Sequence, residues 1–131
     1  MTQNNYKVLV IEDNSELMEQ YRLKLSHEGF NPLVAIDGEQ GLLLAADERP
    51  DVILLDILMP NMDGFEVLRA IKNNTSLNSI IIIISNLAGP EQVERAKALG
   101  ADNYFVKSEV TPSVVVNKVK SLLNIPEEKA S

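Results

Sequence analysis

A single three-layer α/β domain, a parallel sheet wrapped by helices, is the fold class this sequence predicts. Two observations carry the prediction. Five short β-rich runs alternate with five stretches of helical spacing along the whole chain. Two of those runs, "DVILLD" and "SIIIIIS", are continuously apolar, the pattern of strands covered on both faces and placed in the middle of a sheet. A chain of 131 residues is long enough to bury a real core as one domain.

Taken in order, "YKVLVIED" is a strand that ends in acids. "NSELMEQYRLKLSHEG" opens on the cap formers Asn14 and Ser15, sets Leu17, Met18, Tyr21 and Leu25 on one helical face, and stops at Gly29. "FNPLVAID" is a second strand, and Pro32 suggests an edge position because it has no amide to give a neighbour. "GEQGLLLAADER" is a second helix, halted before Pro50. Between the two apolar strands, "GFEVLRAIKNN" puts Phe65, Leu68 and Ile71 on one stripe. "PEQVERAKALG" begins with Pro90 and ends with Gly100. "DNYFVK" supplies the fifth strand, and "TPSVVVNKVKSLLN" carries Val115, Val116, Val119, Leu122 and Leu123 at helical spacing. No repeat, linker or low-complexity segment interrupts the series, and the closing "IPEEKAS" reads as a frayed tail.

Composition narrows the function. The net charge of −7, with Lys and Arg scattered, would repel a polyphosphate backbone, so direct nucleic-acid binding is not expected. There is no cysteine, which excludes disulfides and thiolate metal sites and fits a reducing cytoplasm. Neither a signal segment nor a run of some 18 apolar residues is present, so a soluble cytoplasmic protein without a membrane span is expected.

In open α/β sheets the site lies beyond the carboxyl ends of the strands. Those ends carry Glu12 and Asp13, then Asp56, then Ser85 and Asn86, then Lys107. The second strand ends at Asp37, whose "DG" marks a turn, and Asp51 lies about five residues of ~3.3 Å from Asp56 on the opposite rim, where it starts a strand. Three ionised carboxylates on one rim repel by about 4 kcal/mol per pair at 4 Å and an effective dielectric near 20. Lys107 offers one compensating charge, and a hard divalent ion bound through oxygens, Mg²⁺, suits the rest, since a chain with no Cys and one His serves softer metals poorly.

These residues resemble the receiver domain of two-component response regulators. The resemblance runs from Lys7 to about Leu123 and rests on Glu12 and Asp13, on "LLDILMPNMDG" with Pro60 and Gly64 at fixed distances beyond Asp56, on Ser85 after the isoleucine run, and on Lys107 in "NYFVK". It implies a flavodoxin-like (βα)5 fold with strand order 2-1-3-4-5, a receiver unit over residues 1–125 and a short tail over 126–131. It further implies that Asp56 is the nucleophile taking a phosphoryl group from a histidine kinase or histidine phosphotransfer domain. Asp13, Asp56 and the Leu58 backbone carbonyl would hold Mg²⁺, Glu12 would act through bound water, and Lys107 and Ser85 would contact phosphoryl oxygens. Ser85 and Tyr104 would form a switch in which the Tyr104 ring turns inward, changing the surface made by the fourth helix, fifth strand and fifth helix for a downstream partner or a second copy. Such a protein is a signalling phosphoacceptor rather than an enzyme with turnover. With no output domain after the last helix, a stand-alone or excised receiver is expected.

Two positions depart from the family pattern. Ser108 follows Lys107 where receivers usually have a cis-linked Pro; a cis bond to Ser would cost about 3 to 4 kcal/mol, so a trans bond is expected. Ser85 stands where Thr is commoner. Leu58 and Leu87 occupy positions that tune phosphoryl loss in this family, and neither can orient a water, so slow self-hydrolysis is expected. The plainer readings are helix capping for Glu12 and Asp13, a solvated strand end for Asp56, a turn for Ser85, a solvated lysine for Lys107, a packed strand aromatic for Tyr104 and a surface role for His27. Competing functions are an Asp-nucleophile phosphohydrolase, which wants a second Asp where Leu58 stands, a flavin carrier, whose phosphate loop Glu12 and Asp13 would repel, and an interaction module that is never phosphorylated.

Overall fold

A computed structural model describes residues 3–126. Five strands, β1 (Lys7–Ile11), β2 (Asn31–Ala35), β3 (Val52–Leu55), β4 (Ile80–Ser85) and β5 (Asn103–Val106), alternate with five helices, α1 (Ser15–His27), α2 (Gly38–Glu48), α3 (Gly64–Asn73), α4 (Pro90–Ala98) and α5 (Pro112–Leu122). A single turn of 3₁₀ helix, Lys107–Glu109, joins β5 to α5. The strands form one parallel sheet in the order β2-β1-β3-β4-β5. This is the flavodoxin-like (βα)5 sandwich expected from the sequence, with β2 and its Pro32 at an edge.

Alternation along the strands divides the core in two. Leu9, Ile11, Ile53, Leu55, Ile81 and Ile83 pack with Ala45 of α2, Phe65, Leu68 and Ile71 of α3 and Ala96 of α4. Val8, Val10, Val52, Leu54, Ile82 and Ile84 pack with Tyr21 and Leu25 of α1 and Val115, Val116 and Val119 of α5. The apolar runs in β3 and β4 are continuous because each face of the sheet meets its own helical layer. Among the described residues no helix is long and apolar enough to cross a membrane.

The strands are one to three residues shorter than the sequence suggests, and side chains extend their pairing. Asp51 lies just before β3, and its carboxylate accepts the Lys7 amide proton at 2.9 Å while its own amide donates to the Lys7 carbonyl. Asp102 does the same for β4, accepting from the Ile81 amide at 2.8 Å. Asn14 caps α1 as expected, and Asp37 and Thr111 likewise accept a hydrogen bond from the first turn of the helix they precede. The weakest anchorage is at α4, where Ala96 alone is buried and the N-cap, Gly89, offers no side chain. There the Arg95 guanidinium lies over the Phe65 ring, 3.9 Å from its centroid, and ties α4 to α3.

One feature of the packing is invisible in the hydropathy pattern. Lys120 of α5 is only 4 % exposed and its Nζ donates to Glu28 Oε1, at the end of α1, at 2.7 Å. Lys120 holds the Glu28 carboxyl below its ordinary range despite the opposing effect of burial. A depressed folded-state pKa contributes stability that is complete above the unfolded value and fades as pH falls through the folded one. Replacing Glu28 with Gln strands the Lys120 charge, so Glu28→Gln should lose about 2 kcal/mol in urea unfolding at neutral pH. Its difference from wild type should shrink as pH falls below about 4. A difference that stayed constant to pH 2.5 would show that the pair contributes nothing through charge.

Candidate functional site

Parallel strands all end on the same rim, and their register sets the heights of the groups beyond them. Ile11 pairs with Leu55, and Leu55 with Ile83, so Glu12 and Asp56 emerge side by side from β1 and β3. Their backbones remain tied in: the Glu12 amide donates to the Ala35 carbonyl at 3.0 Å and the Asp56 amide to the Ile11 carbonyl at 3.2 Å. Both residues are 4 % exposed, whereas Asp13 faces solvent. Carboxylate oxygens of Glu12, Asp13 and Asp56 all lie within 4.8 Å of one another. Asp51 is at the other end of β3 and takes no part.

Lys107, the first residue after β5, reaches into this cluster. Its Nζ donates to Asp56 Oδ2 and forms an ion pair with Glu12 Oε1, both at 2.8 Å. The remaining oxygens are met from the backbone: Asp56 Oδ1 accepts from the Leu58 amide at 3.1 Å, and Glu12 Oε2 from the Asn14 amide at 3.0 Å. No buried side-chain oxygen or nitrogen among the described residues lacks a partner. Burial raises the Glu12 carboxyl above its ordinary range, with the Asp56 charge adding to the rise and hydrogen bonds from Lys107 and Asn14 opposing it. Burial would depress Lys107, but the hydrogen bonds to Asp56 and Glu12 outweigh it and hold the ammonium above its usual value.

Three carboxylates and one ammonium leave two negative charges in a partly dehydrated space, which a divalent cation would neutralise. The donor set is all oxygen, with no imidazole or sulfur among the clustered groups, so it fits Mg²⁺ in chemistry as well as charge.

The rest of the rim holds the other expected residues. Ser85 ends β4 fully buried, its Oγ accepting from the Leu87 amide at 3.2 Å. Tyr104 is half-buried with its ring against the α2–α3–α4 core cluster, and its hydroxyl donates to the Leu87 carbonyl. Burial, and then the Asp56 charge, raise its hydroxyl pKa. Leu58 stands at the lip of the site, 53 % exposed. No peptide bond among the described residues is cis, so the bond from Lys107 to Ser108 is trans as expected. His27 is exposed at the end of α1 and remote in role. The sequence places Asn86 at the rim without a task; its side chain accepts a hydrogen bond from the Ser108 amide at 2.9 Å.

Comparison with known proteins agrees with this geometry. The family model of the response regulator receiver domain matches residues 8–120. The alkaline phosphatase synthesis transcriptional regulatory protein PhoP of Bacillus subtilis is 31% identical over 125 residues, covering 94% of this chain and 50% of that protein. The cell cycle response regulator CtrA of Brucella ovis is 39% identical over 101 residues, covering 77% of this chain and 43% of CtrA. The chain thus spans about half the length of these curated relatives. Among solved structures, the CheX–CheY–BeF3–Mg²⁺ complex from Borrelia burgdorferi matches with a TM-score of 0.83 and 30% identity, covering 90% of this chain and 89% of that one. Fold, strand-end chemistry and sequence agree, and the chain belongs to the response regulator receiver domain family of two-component signalling.

Proposed function

We propose that Asp56 accepts a phosphoryl group from the phosphohistidine of a histidine kinase or histidine phosphotransfer domain. The observation that carries this reading is the placement of Lys107, with its ammonium 2.8 Å from both Asp56 and Glu12 in an otherwise acidic cleft. The carboxylate attacks phosphorus, an acyl phosphate O–P bond forms, the P–N bond to histidine breaks, and the imidazole keeps the electron pair and is protonated. The Leu58 amide and Lys107 hold the two Asp56 oxygens in fixed directions before reaction, so little reorientation is needed.

Asp13, Asp56 and the Leu58 carbonyl would hold Mg²⁺, and the Borrelia CheY complex carries that ion. Glu12 already has a donor on each oxygen, which suits a role through bound water rather than direct ligation. Bound there, the ion would offset the charge of the three carboxylates and of the incoming phosphoryl group. Lys107 can then pair with one phosphoryl oxygen and the Ser85 hydroxyl with another. Ser85 and Tyr104 are the switch: both meet the β4–α4 loop at Leu87, so movement of Ser85 alters what holds the Tyr104 ring. The surface of α4, β5 and α5 then changes for a downstream protein or a second copy of the chain. We read residues 1–125 as the receiver unit; of the expected tail, residues 127–131 lie outside the described residues. A cytoplasmic location fits these partners.

A phosphohydrolase reading is disfavoured by the half-exposed Leu58 side chain where a general acid would have to stand. The test is incubation with Mg²⁺ and acetyl phosphate, read by intact mass. The expected result is one added phosphoryl group per chain, dependent on the metal and mapped to Asp56. Because Leu58 and Leu87 present only carbon to an attacking water, the label should decay with a half-life of many minutes or longer. Decay in seconds would contradict that part, and no labelling at all would leave only an interaction module.

A further inference from the structure

We propose that Asn86 is a positioning residue for Lys107, acting through the hydrogen bond that its side-chain carbonyl accepts from the Ser108 amide. The inference rests on the assignment of Lys107 to the phosphoryl-accepting site. β5 is an edge strand, supported laterally by β4 alone among the described residues, and the ladder between them ends at the pair Ser85 and Val106. Lys107 is the first residue past that pair, where the chain bends into the 3₁₀ turn. Its side chain must nevertheless hold two carboxylates at 2.8 Å each. Lys107 lies beyond the last residue pair of that ladder, and the residue after it, Ser108, supplies an anchor on the far side.

The Ser108 amide donates to Asn86 Oδ1 at 2.9 Å, and Asn86 directly follows Ser85. A side-chain carbonyl thus continues the β4–β5 connection one step beyond the backbone ladder, much as Asp51 and Asp102 do at the opposite rim. The donor exists because residue 108 is serine: proline has no amide proton to give. Lys107 is therefore held from both sides, by the Val106–Ser85 pair before it and by the Asn86–Ser108 bond after it. The same bond couples the Lys107 loop to the end of β4 that carries Ser85, so the backbones bearing the two phosphoryl-contacting groups are tied to each other.

Asn86 is exposed, so its replacement should not unfold the protein, and two variants separate the acceptor from mere bulk. Asn86→Leu keeps the size and removes the acceptor; Asn86→Ala removes both. In each, protection of the Ser108 amide from solvent exchange, measured by NMR, should fall about three- to tenfold, the worth of one exposed hydrogen bond. Asn86→Asp, which keeps an acceptor oxygen, should retain that protection. The rate constant for labelling by acetyl phosphate should fall about five- to fiftyfold in the Leu and Ala variants, while the Mg²⁺ concentration for half-maximal thermal stabilisation stays as in wild type. Unchanged Ser108 exchange would overturn the bond, and lost protection with wild-type labelling would overturn the positioning role. The amide readout does not depend on phosphorylation. Failure of the wild-type protein to label would therefore count against the acceptor assignment alone.

Discussion

Asp56→Asn should abolish metal-dependent labelling by acetyl phosphate, a loss of at least about 10⁴-fold in rate, because an amide offers no nucleophilic carboxylate. Asparagine matches aspartate in shape, and its carbonyl can still accept the Leu58 amide that Asp56 Oδ1 accepts at 3.1 Å. The loss is therefore chemical rather than architectural. The same substitution carries an opposite prediction for stability. Asp56 faces one ammonium, Lys107, but two other carboxylates within the same 4.8 Å cluster, so its charge is a net burden when no divalent ion is bound. In EDTA the variant should be more stable than wild type, by about 1 kcal/mol once solvent screening is counted. In saturating Mg²⁺ the order should reverse, because wild type gains binding energy, about 2.7 kcal/mol at a hundred times Kd, that the variant cannot match. Thermal melts with and without the ion check both halves. A variant that still gains a phosphoryl group would place the acceptor elsewhere on the rim, and a variant less stable in EDTA would mean that Lys107 outweighs both acids.

Much of this arrangement is legible in the sequence because it depends on local order and on a topological rule. Alternating runs locate the strands, continuous isoleucine in β4 signals cover on both faces, and the rim rule then gathers Glu12, Asp13, Asp56, Ser85 and Lys107 without any contact information. Interactions between residues far apart in the chain are what escape. Nothing in the α5 stripe singles out Lys120, because its partner Glu28 lies 92 positions earlier. Asp51 reads as a strand starter, and only the register shows its carboxylate, and that of Asp102, accepting from the backbone amides of Lys7 and Ile81. Tyr104 can be placed on β5, but the direction of its ring depends on the Leu87 carbonyl, which belongs to another loop. Asn86 is visible at a strand end and lacks a role there, since its partner is a backbone amide that no side-chain pattern reports.

Gly64→Ala is the substitution for which sequence and structure predict opposite signs. Gly64 is the first residue of α3, with Asp63 capping the helix through the Glu66 amide, and by helix propensity alone alanine there should stabilise by up to about 1 kcal/mol. The backbone angle of Gly64 is not in the left-handed region, so conformational strain gives no reason for glycine. The reason is approach. A Cβ built on Gly64 would lie 2.5 Å from the Ile57 Cα and closer still to the Asp56 carbonyl oxygen. Both are backbone atoms of the segment leaving β3, and neither can rotate away as a side-chain tip could. That closeness is maintained by the Gly64 amide, which donates to the Ile57 carbonyl at 2.8 Å and closes the loop carrying Leu58 and Pro60. Relief of the clash must break that bond or shift the end of β3, and Asp56 is the residue that moves. The expected cost is about 2 to 4 kcal/mol, a fall in melting temperature on the order of 10 °C. Displacing Asp56 relative to Lys107 by even a fraction of an ångström should slow labelling by about tenfold to a hundredfold. Gly89→Ala is the control: its Cβ would meet nothing within 4 Å, and only the positive φ of 128° opposes it. It should cost about 1 to 3 kcal/mol through backbone strain and leave labelling within twofold of wild type. If Gly64→Ala melted within 2 °C of wild type and labelled at the same rate, the close approach of α3 to the acceptor strand would not be what positions Asp56, and the hydrogen bonds from Leu58 and Lys107 would have to do so alone.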